Sequence, residues 1–139
     1  MTARDKVHQA FINALVADGW SITHDPFPLT YGDQQLYVDV GAEKGAIGAE
    51  KGEQKIAVEI KSFLNRSAVQ DLQDALGQYE MYRLVLGDND PERILFLAVP
   101  ERVYESYLKY SFGQFILNGA SIKVIVFNER KEVIIKWIS

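Results

Sequence analysis

The stretch KIAVEIKS, Lys55 to Ser62, sets the strongest constraint on what this chain can fold into. It reads as a β-strand, and a strand repeats every two residues. Ile56, Val58 and Ile60 therefore share one wholly apolar face that must meet a core. The other face carries Glu59 and Lys61 side by side. An exposed pair of this kind on an edge strand contributes little to stability. Its meaning depends on what the rest of the chain places near it.

The segments around this strand alternate between helical and extended patterns. A first helix is predicted from Arg4 to Ala17, with Val7, Phe11, Ala14 and Leu15 at helical spacing and Asp18-Gly19 ending it. Trp20 begins a short extended stretch. His24-Asp25-Pro26 and Pro28 punctuate it, because a residue before proline is pushed away from helical angles. A strand follows from Leu36 to Val40, with Leu36, Val38 and Val40 on one face and Tyr37 and Asp39 on the other. The glycine-rich GAEKGAIGAEKGEQ, residues 41–54, reads as a turn-rich connection with an extended piece around Ile47. Its two GAEKG copies are too short for a solenoid repeat. Without a GK[ST] after a GxxxxG spacing, it is not a phosphate-binding P-loop.

Beyond Lys61 the chain turns through Phe63-Leu64-Asn65-Arg66 into a second helix. Ser67 and Gln70 have the spacing of a capping box, Val69, Leu72, Leu76, Tyr79 and Arg83 recur at helical spacing, and Gly87 to Pro91 stops it. Ile94 to Val99 is a near-continuous apolar strand. Pro100 opens a third helix with Val103, Tyr107 and Leu108 toward the sheet. Strands at Ile122 to Phe127 and Glu132 to Ile138 flank the turn Asn128 to Lys131. This order implies a single domain over residues 1–139, an α/β or α+β sandwich with a mixed sheet flanked by helices.

Composition agrees. A chain of 139 residues, 47% of them hydrophobic, can bury about two-thirds of its unfolded surface in one core. The absence of cysteine excludes disulfides, thiolate metal sites and cysteine nucleophiles. MTARDKVHQAF lacks the apolar core of a signal peptide, and no apolar run approaches the roughly 18 residues of a membrane span, so the expectation is a cytoplasmic protein with no membrane association. A net charge of −4 and a pI near 5.2 disfavour a broad basic surface that coats nucleic acid. Local contact stays open, because a divalent cation can offset an acidic site.

Asp39 stands alone as an acid within the apolar run YVDV, and acids are depleted from strands. If its strand neighbours that of Glu59, the two carboxylates converge. At about 4 Å they would repel by about 4 kcal/mol at an effective dielectric of about 20. A cation between them removes that penalty, and hard carboxylate oxygens suit Mg²⁺ or Mn²⁺. Lys61, one strand repeat beyond Glu59, points at the same place, where an ammonium can position an attacking water or neutralise developing charge.

Asp39 followed by Glu59-Ile60-Lys61 resembles the PD-(D/E)xK nuclease superfamily, and Gln78-Tyr79-Glu80-Met81-Tyr82 is similar to the QxxxY element of some of its branches. Nearly the whole chain is similar to the XisH family, named as controlling factors for excision of the fdxN element in cyanobacteria. The segments ARDKVHQAFINALVADGWSITHDP, YVDVGAEK, KIAVEIKSF, ALGQYEMYR, PERILFLAVP and VIIKWI carry this resemblance. It implies a restriction-endonuclease-like fold, DNA as partner in site-specific rearrangement, and a small XisI-type protein as a second partner. It also implies Asp39 and Glu59 as ligands of a catalytic Mg²⁺ or Mn²⁺, the backbone carbonyl of Ile60 as a further ligand, and Lys61 in catalysis. The twenty-residue separation of the two acids is long for the motif, so Glu43 and Glu50 stand as alternatives to Asp39. The implied activity is phosphodiester hydrolysis; the alternative is a nuclease fold that works as an accessory factor through binding.

Gln78 and Tyr82, one helical turn apart, are candidates to reach the site or a phosphate, with packing in the core as the alternative for Tyr79 and Tyr82. His8 is a candidate accessory residue on the first helix, where a plain surface position is the competing reading. His24 reads as a turn residue. Arg66, Arg83 and Lys55 form a candidate phosphate-binding patch, against solvated surface charges. A homodimer through the late Val- and Ile-rich strands is a further association the sequence allows.

Overall fold

The computed structural model describes residues 2–45 and 54–139. Helix α1, Ala3–Ala17, starts at Thr2, whose hydroxyl accepts from the Asp5 N–H while the Asp5 carboxylate accepts from the Thr2 N–H. This reciprocal pair satisfies donors that every helix start leaves open. Strands β1 (Ser21–His24), β2 (Phe27–Tyr31), β3 (Gln34–Val38), β4 (Val40–Lys44) and β5 (Gln54–Ile60) follow, then α2 (Ala68–Asn89) and β6 (Ile94–Pro100). A short α3, Glu101–Val103, runs into a π-helical turn at Tyr104–Leu108. Helix α4 (Ser111–Gly119) and strands β7 (Val124–Asn128) and β8 (Val133–Ile138) complete the chain.

Six strands form one mixed sheet in the order β1-β4-β5-β6-β7-β8, with β5, β6 and β7 parallel and the outer pairs antiparallel. Strands β2 and β3 form a separate hairpin. One face of the sheet is covered by α1, whose Val7, Phe11 and Leu15 pack with Val40, Ile56, Val58, Ile60 and Phe127. The other is covered by α2, the hairpin and the α3–α4 region, with Leu72, Tyr79, Phe27 and Leu108 packed on Ala57, Leu97 and Val126. The expected sandwich with a mixed sheet is therefore present, and the apolar parity of β5 is as the sequence predicts. Glu59, however, lies on an interior strand and is buried, so the edge-strand reading of its pair does not apply.

Several local expectations are corrected. The predicted strand Leu36 to Val40 breaks at Asp39, with Val38 ending β3 and Val40 starting β4. Val38 then packs on the α2 side and Val40 on the α1 side, although regular alternation would have put them on one face. Gly41 to Lys44 belong to β4 rather than to a turn-rich connection. A Cβ on Gly41 would lie 2.5 Å from the Phe27 ring, so glycine there lets the hairpin lie against the sheet. The piece expected around Ile47 falls outside the described residues. His24 is the last residue of β1, paired with Gly41, rather than a turn residue.

In α2 the Ser67 hydroxyl accepts from the Gln70 N–H at 3.2 Å, but the Gln70 side chain bonds Asp74, leaving the capping box half-formed. Val69 is exposed, and Asp71 is buried in its stead. The third helix expected after Pro100 is two pieces, α3 and the π-helical turn ending at Leu108, and α4 is a further helix that starts close against that turn: a Cβ on Gly113 would lie 2.5 Å from the Leu108 carbonyl oxygen. Among the described residues no helix is long and apolar enough to cross a membrane.

Candidate functional site

The break at Asp39 and the end of β5 meet. Val40 pairs with Val58, which places Asp39 beside Glu59 and Ile60. Asp39 Oδ2 accepts from the Ile60 N–H at 2.8 Å, and Glu59 Oε1 accepts from the Asp39 N–H at 3.3 Å. The Lys61 Nζ lies 3.6 Å from Glu59 Oε2, within reach of charge attraction but longer than a hydrogen bond. Lys61 is held where β5 ends by its N–H, which donates to the Ala98 carbonyl at 2.9 Å.

Burial dominates the electrostatics. The Glu59 side chain is 5% exposed, and burial followed by the negative charge of Asp39 pushes its carboxyl up to about 8 against the opposing pull of Lys61. Glu59 thus keeps its proton at neutral pH and shares a hydrogen bond with the Asp39 carboxyl. Tyr82 on α2 is half-buried near both carboxylates. Burial first, then the charges of Glu59 and Asp39, push its hydroxyl up to about 12, so it remains a donor.

Beside this pair lies a cavity of about 400 Å³, lined among others by Arg4, Ile60, Lys61, Asn65, Asp71 and Gln78. The Gln78 side-chain oxygen is buried without a hydrogen-bond partner among the described residues. Asp71 shapes the cavity wall by accepting from the Asn65 side chain at 2.6 Å and from the Asn65 N–H at 3.2 Å. Arg102 braces the same loop by donating to the Ser62 carbonyl at 2.7 Å. Phe63 adopts a left-handed backbone with φ 52°, uncommon for a bulky residue, directly after the Lys61-Ser62 pair.

Of the residues expected at the site, Asp39, Glu59, Ile60, Lys61, Gln78 and Tyr82 are brought together. The others are not. Glu43 is paired with Arg93 at 3.4 Å, farther along β4, and so stands apart from Glu59. Glu50 lies outside the described residues. His8 Nε2 is 3.1 Å from Asp25 Oδ1 on the surface. Arg83 is exposed and pairs with Glu80, and Lys55 sits at the opposite end of β5 from Lys61, so the proposed patch of Arg66, Arg83 and Lys55 is not one surface. Tyr79 is a core residue whose hydroxyl donates to the Leu95 carbonyl at 2.9 Å and accepts from the Lys123 N–H at 3.2 Å. Arg4, Asn65 and Asp71 are site residues that sequence reasoning misses. Only the spatial meeting of the α1 start, the loop after β5 and the first turn of α2 reveals them.

Two carboxylates and a neighbouring carbonyl are hard oxygen donors, a set that fits Mg²⁺ or Mn²⁺ when water completes the shell. The shared proton on Glu59 marks the place where a cation would relieve the same repulsion. Among the described residues no group of three or more His, Cys, Asp or Glu side chains forms a larger ligand cluster.

The class is thus a mixed α/β domain in which two carboxylates and a lysine meet where the central strand ends. The chain belongs to the XisH family: the family model for the XisH protein matches residues 1–135. It is similar to the crystal structure of an XisH family protein from Nostoc punctiforme, with 38% identity over 97% of this chain and 100% of that one and a TM-score of 0.88. It is also similar to an fdxN element excision controlling factor protein from Anabaena variabilis, with 38% identity over 98% of this chain and 100% of that one and a TM-score of 0.86. No curated protein matches it.

Proposed function

We propose that this XisH family chain acts on DNA during element excision and hydrolyses phosphodiester bonds with a divalent cation held by Asp39, Glu59 and the Ile60 carbonyl. The observation that carries this reading is the reciprocal hydrogen bonding of Asp39 and Glu59 beside Lys61. Bound there, Mg²⁺ or Mn²⁺ would polarise a phosphodiester and acidify an attacking water. The chain's own residues have matching roles. The Lys61 ammonium orients the water and offsets charge on the phosphoryl oxygens. Gln78 offers an unused acceptor to that water, the Tyr82 hydroxyl donates, and Arg4 meets a phosphate at the cavity mouth. Incubating the protein with Mg²⁺ or Mn²⁺ and linear, supercoiled and single-stranded DNA tests this. Cleavage is expected, and the reading fails if none occurs or if Lys61→Ala cuts as well as the parent.

A second reading is favoured by the burial of Glu59 and by a cavity whose lining includes Ile60 and Lys61 but neither carboxylate. In it the domain is an accessory factor that binds DNA and a small XisI-type protein without cutting. Co-expression with such a partner is then expected to recover a complex that survives Lys61→Ala, and recovery of neither partner nor DNA would count against it.

A further inference from the structure

A second cavity lies at the opposite end of β5 from the carboxylates. It has a volume of about 520 Å³, and its lining includes Trp20, Trp137, Phe96, Lys44, Lys55 and Asp18. The walls are aromatic: the Trp20 and Trp137 rings stand 5.6 Å apart at 32°, and Phe96 meets Trp137 edge-on at 5.1 Å. Trp20 is 6% exposed, yet among the described residues its indole N–H has no hydrogen-bond partner. An indole can only donate. A buried donor without an acceptor is costly and is expected to be met by something.

The charges are also unevenly used. Lys44 is committed, because its Nζ donates to the Asp18 carbonyl at 2.8 Å and lies 5.7 Å from the centre of the Trp20 ring. Lys55 is different. Glu43, its cross-strand neighbour, is paired with Arg93, which leaves Lys55 without an ion pair among the described residues.

We propose that this cavity binds a nucleotide, with the base against the tryptophans and the phosphate toward Lys55. Each part of that ligand answers one unused feature. A planar base stacks on indole rings, and every base has a π-face for this purpose. Ring nitrogens or carbonyl oxygens of the base supply the acceptor that the Trp20 N–H lacks. The phosphate meets the Lys55 ammonium, and the carboxylates of Asp18 and Glu92 at the lining accept from an exocyclic amine or a sugar hydroxyl. A hydrocarbon ligand would leave the indole N–H unmet, and inorganic phosphate would leave the aromatic walls bare. The volume lies in the usual range for small-molecule sites. The ligand is either a free nucleotide or an unpaired base of a nucleic-acid strand. The site does not depend on whether the carboxylates at the other end of β5 cut DNA.

The chain has two tryptophans and both line this cavity, so their two indole resonances in a proton–nitrogen correlation spectrum report on it alone. The full chain is titrated with adenosine, guanosine, cytidine and thymidine monophosphates, with the matching nucleosides, and with a short single-stranded oligonucleotide. Saturable shifts of both indole signals are expected for at least one monophosphate. Trp20→Phe keeps a ring but removes the donor and should weaken binding by about three- to tenfold, read on Trp137. Lys55→Glu, at the rim, should weaken the monophosphate but not the nucleoside. Lys61→Ala, at the far end of β5, should leave the monophosphate binding read on the two indoles as it is in the parent. An oligonucleotide that binds far more tightly than any monophosphate makes a strand the source, and equal or weaker binding makes it the free nucleotide. Absence of a saturable shift with every probe overturns the site, as does unchanged binding in both Trp20→Phe and Lys55→Glu.

Discussion

Asp39 and Glu59 brace each other through the backbone: the Asp39 carboxylate takes the N–H of the residue after Glu59, and the Glu59 carboxyl takes the N–H of Asp39. Each acid therefore has a structural role beside the one proposed for it in holding a cation. The bend that carries the chain from the β2–β3 hairpin into the main sheet is pinned by the same two side chains that would hold a cation.

The raised Glu59 carboxyl makes stability fall as pH rises. In the unfolded chain a glutamate ionises near its ordinary 4.5, whereas folded Glu59 holds its proton until about 8. Below the lower value both states are protonated and there is no penalty. Between the two, the unfolded state gains an ionisation that burial and Asp39 deny the folded one, so folding is progressively disfavoured up to about 8. Glu59→Gln removes this slope and should be the more stable protein at the alkaline end by about 1–3 kcal/mol. Urea midpoints of both proteins across this range measure it, and parallel curves would show that the carboxyl is not perturbed.

A cation should reverse that penalty. Binding at Asp39 and Glu59 requires the shared proton to leave, so Mg²⁺ or Mn²⁺ should raise the melting temperature more in alkaline than in mildly acidic buffer. A cation at a hundredfold excess over its Kd adds about 3 kcal/mol of stability. Neither Glu59→Gln nor Asp39→Asn should respond. A shift of equal size in those variants would place the cation elsewhere.

Arg93 is a buried charge at the other end of the sheet's central strands, and its role is structural. Its guanidinium donates to the Ile56 carbonyl at 2.9 Å and to the Asp90 carboxylate at 3.1 Å, sits 3.4 Å from Glu43 and lies 4.5 Å over the Phe27 ring. It fastens β4, β5 and the hairpin together. Arg93→Met should lower stability by about 3–5 kcal/mol, because two acids and a carbonyl lose their partner at once. Chemical denaturation measures this, and a loss below about 1 kcal/mol would mean that the network contributes little.

Parity made the β5 faces legible, since Ile56, Val58 and Ile60 could only share a side, and the lone acid in YVDV singled out Asp39 as a residue with something to explain. The same parity failed on either side of that acid. Val38 and Val40 alternate as one strand would, but alternation has no signal for a chain that leaves one sheet and joins another at Asp39. Helix α4 was hidden because Tyr110, Phe112 and Phe115 are exposed, so its apolar spacing does not mark a buried face. Arg4 and Gln78 meet only because the start of α1 and the middle of α2 flank one cavity, a relation that no local pattern carries. Gln78 was nevertheless within reach of motif reasoning, and Arg4 was not.

Lys61 separates the two readings of the site. It is 17% exposed at the side chain, lines the cavity and makes one long contact to Glu59, so its truncation should cost no more than about 1 kcal/mol of stability. If the chain cleaves DNA, Lys61→Ala should lose about a hundredfold or more of the cleavage rate, because the ammonium acts on charge that develops only as the bond breaks. Its loss also removes the positive charge that lowers the Glu59 carboxyl, so the alkaline fall in stability should move to higher pH. The two measurements together are decisive. A moved pH profile without lost cleavage would mean that Lys61 touches Glu59 but not the chemistry, and would leave binding as the function of the fold.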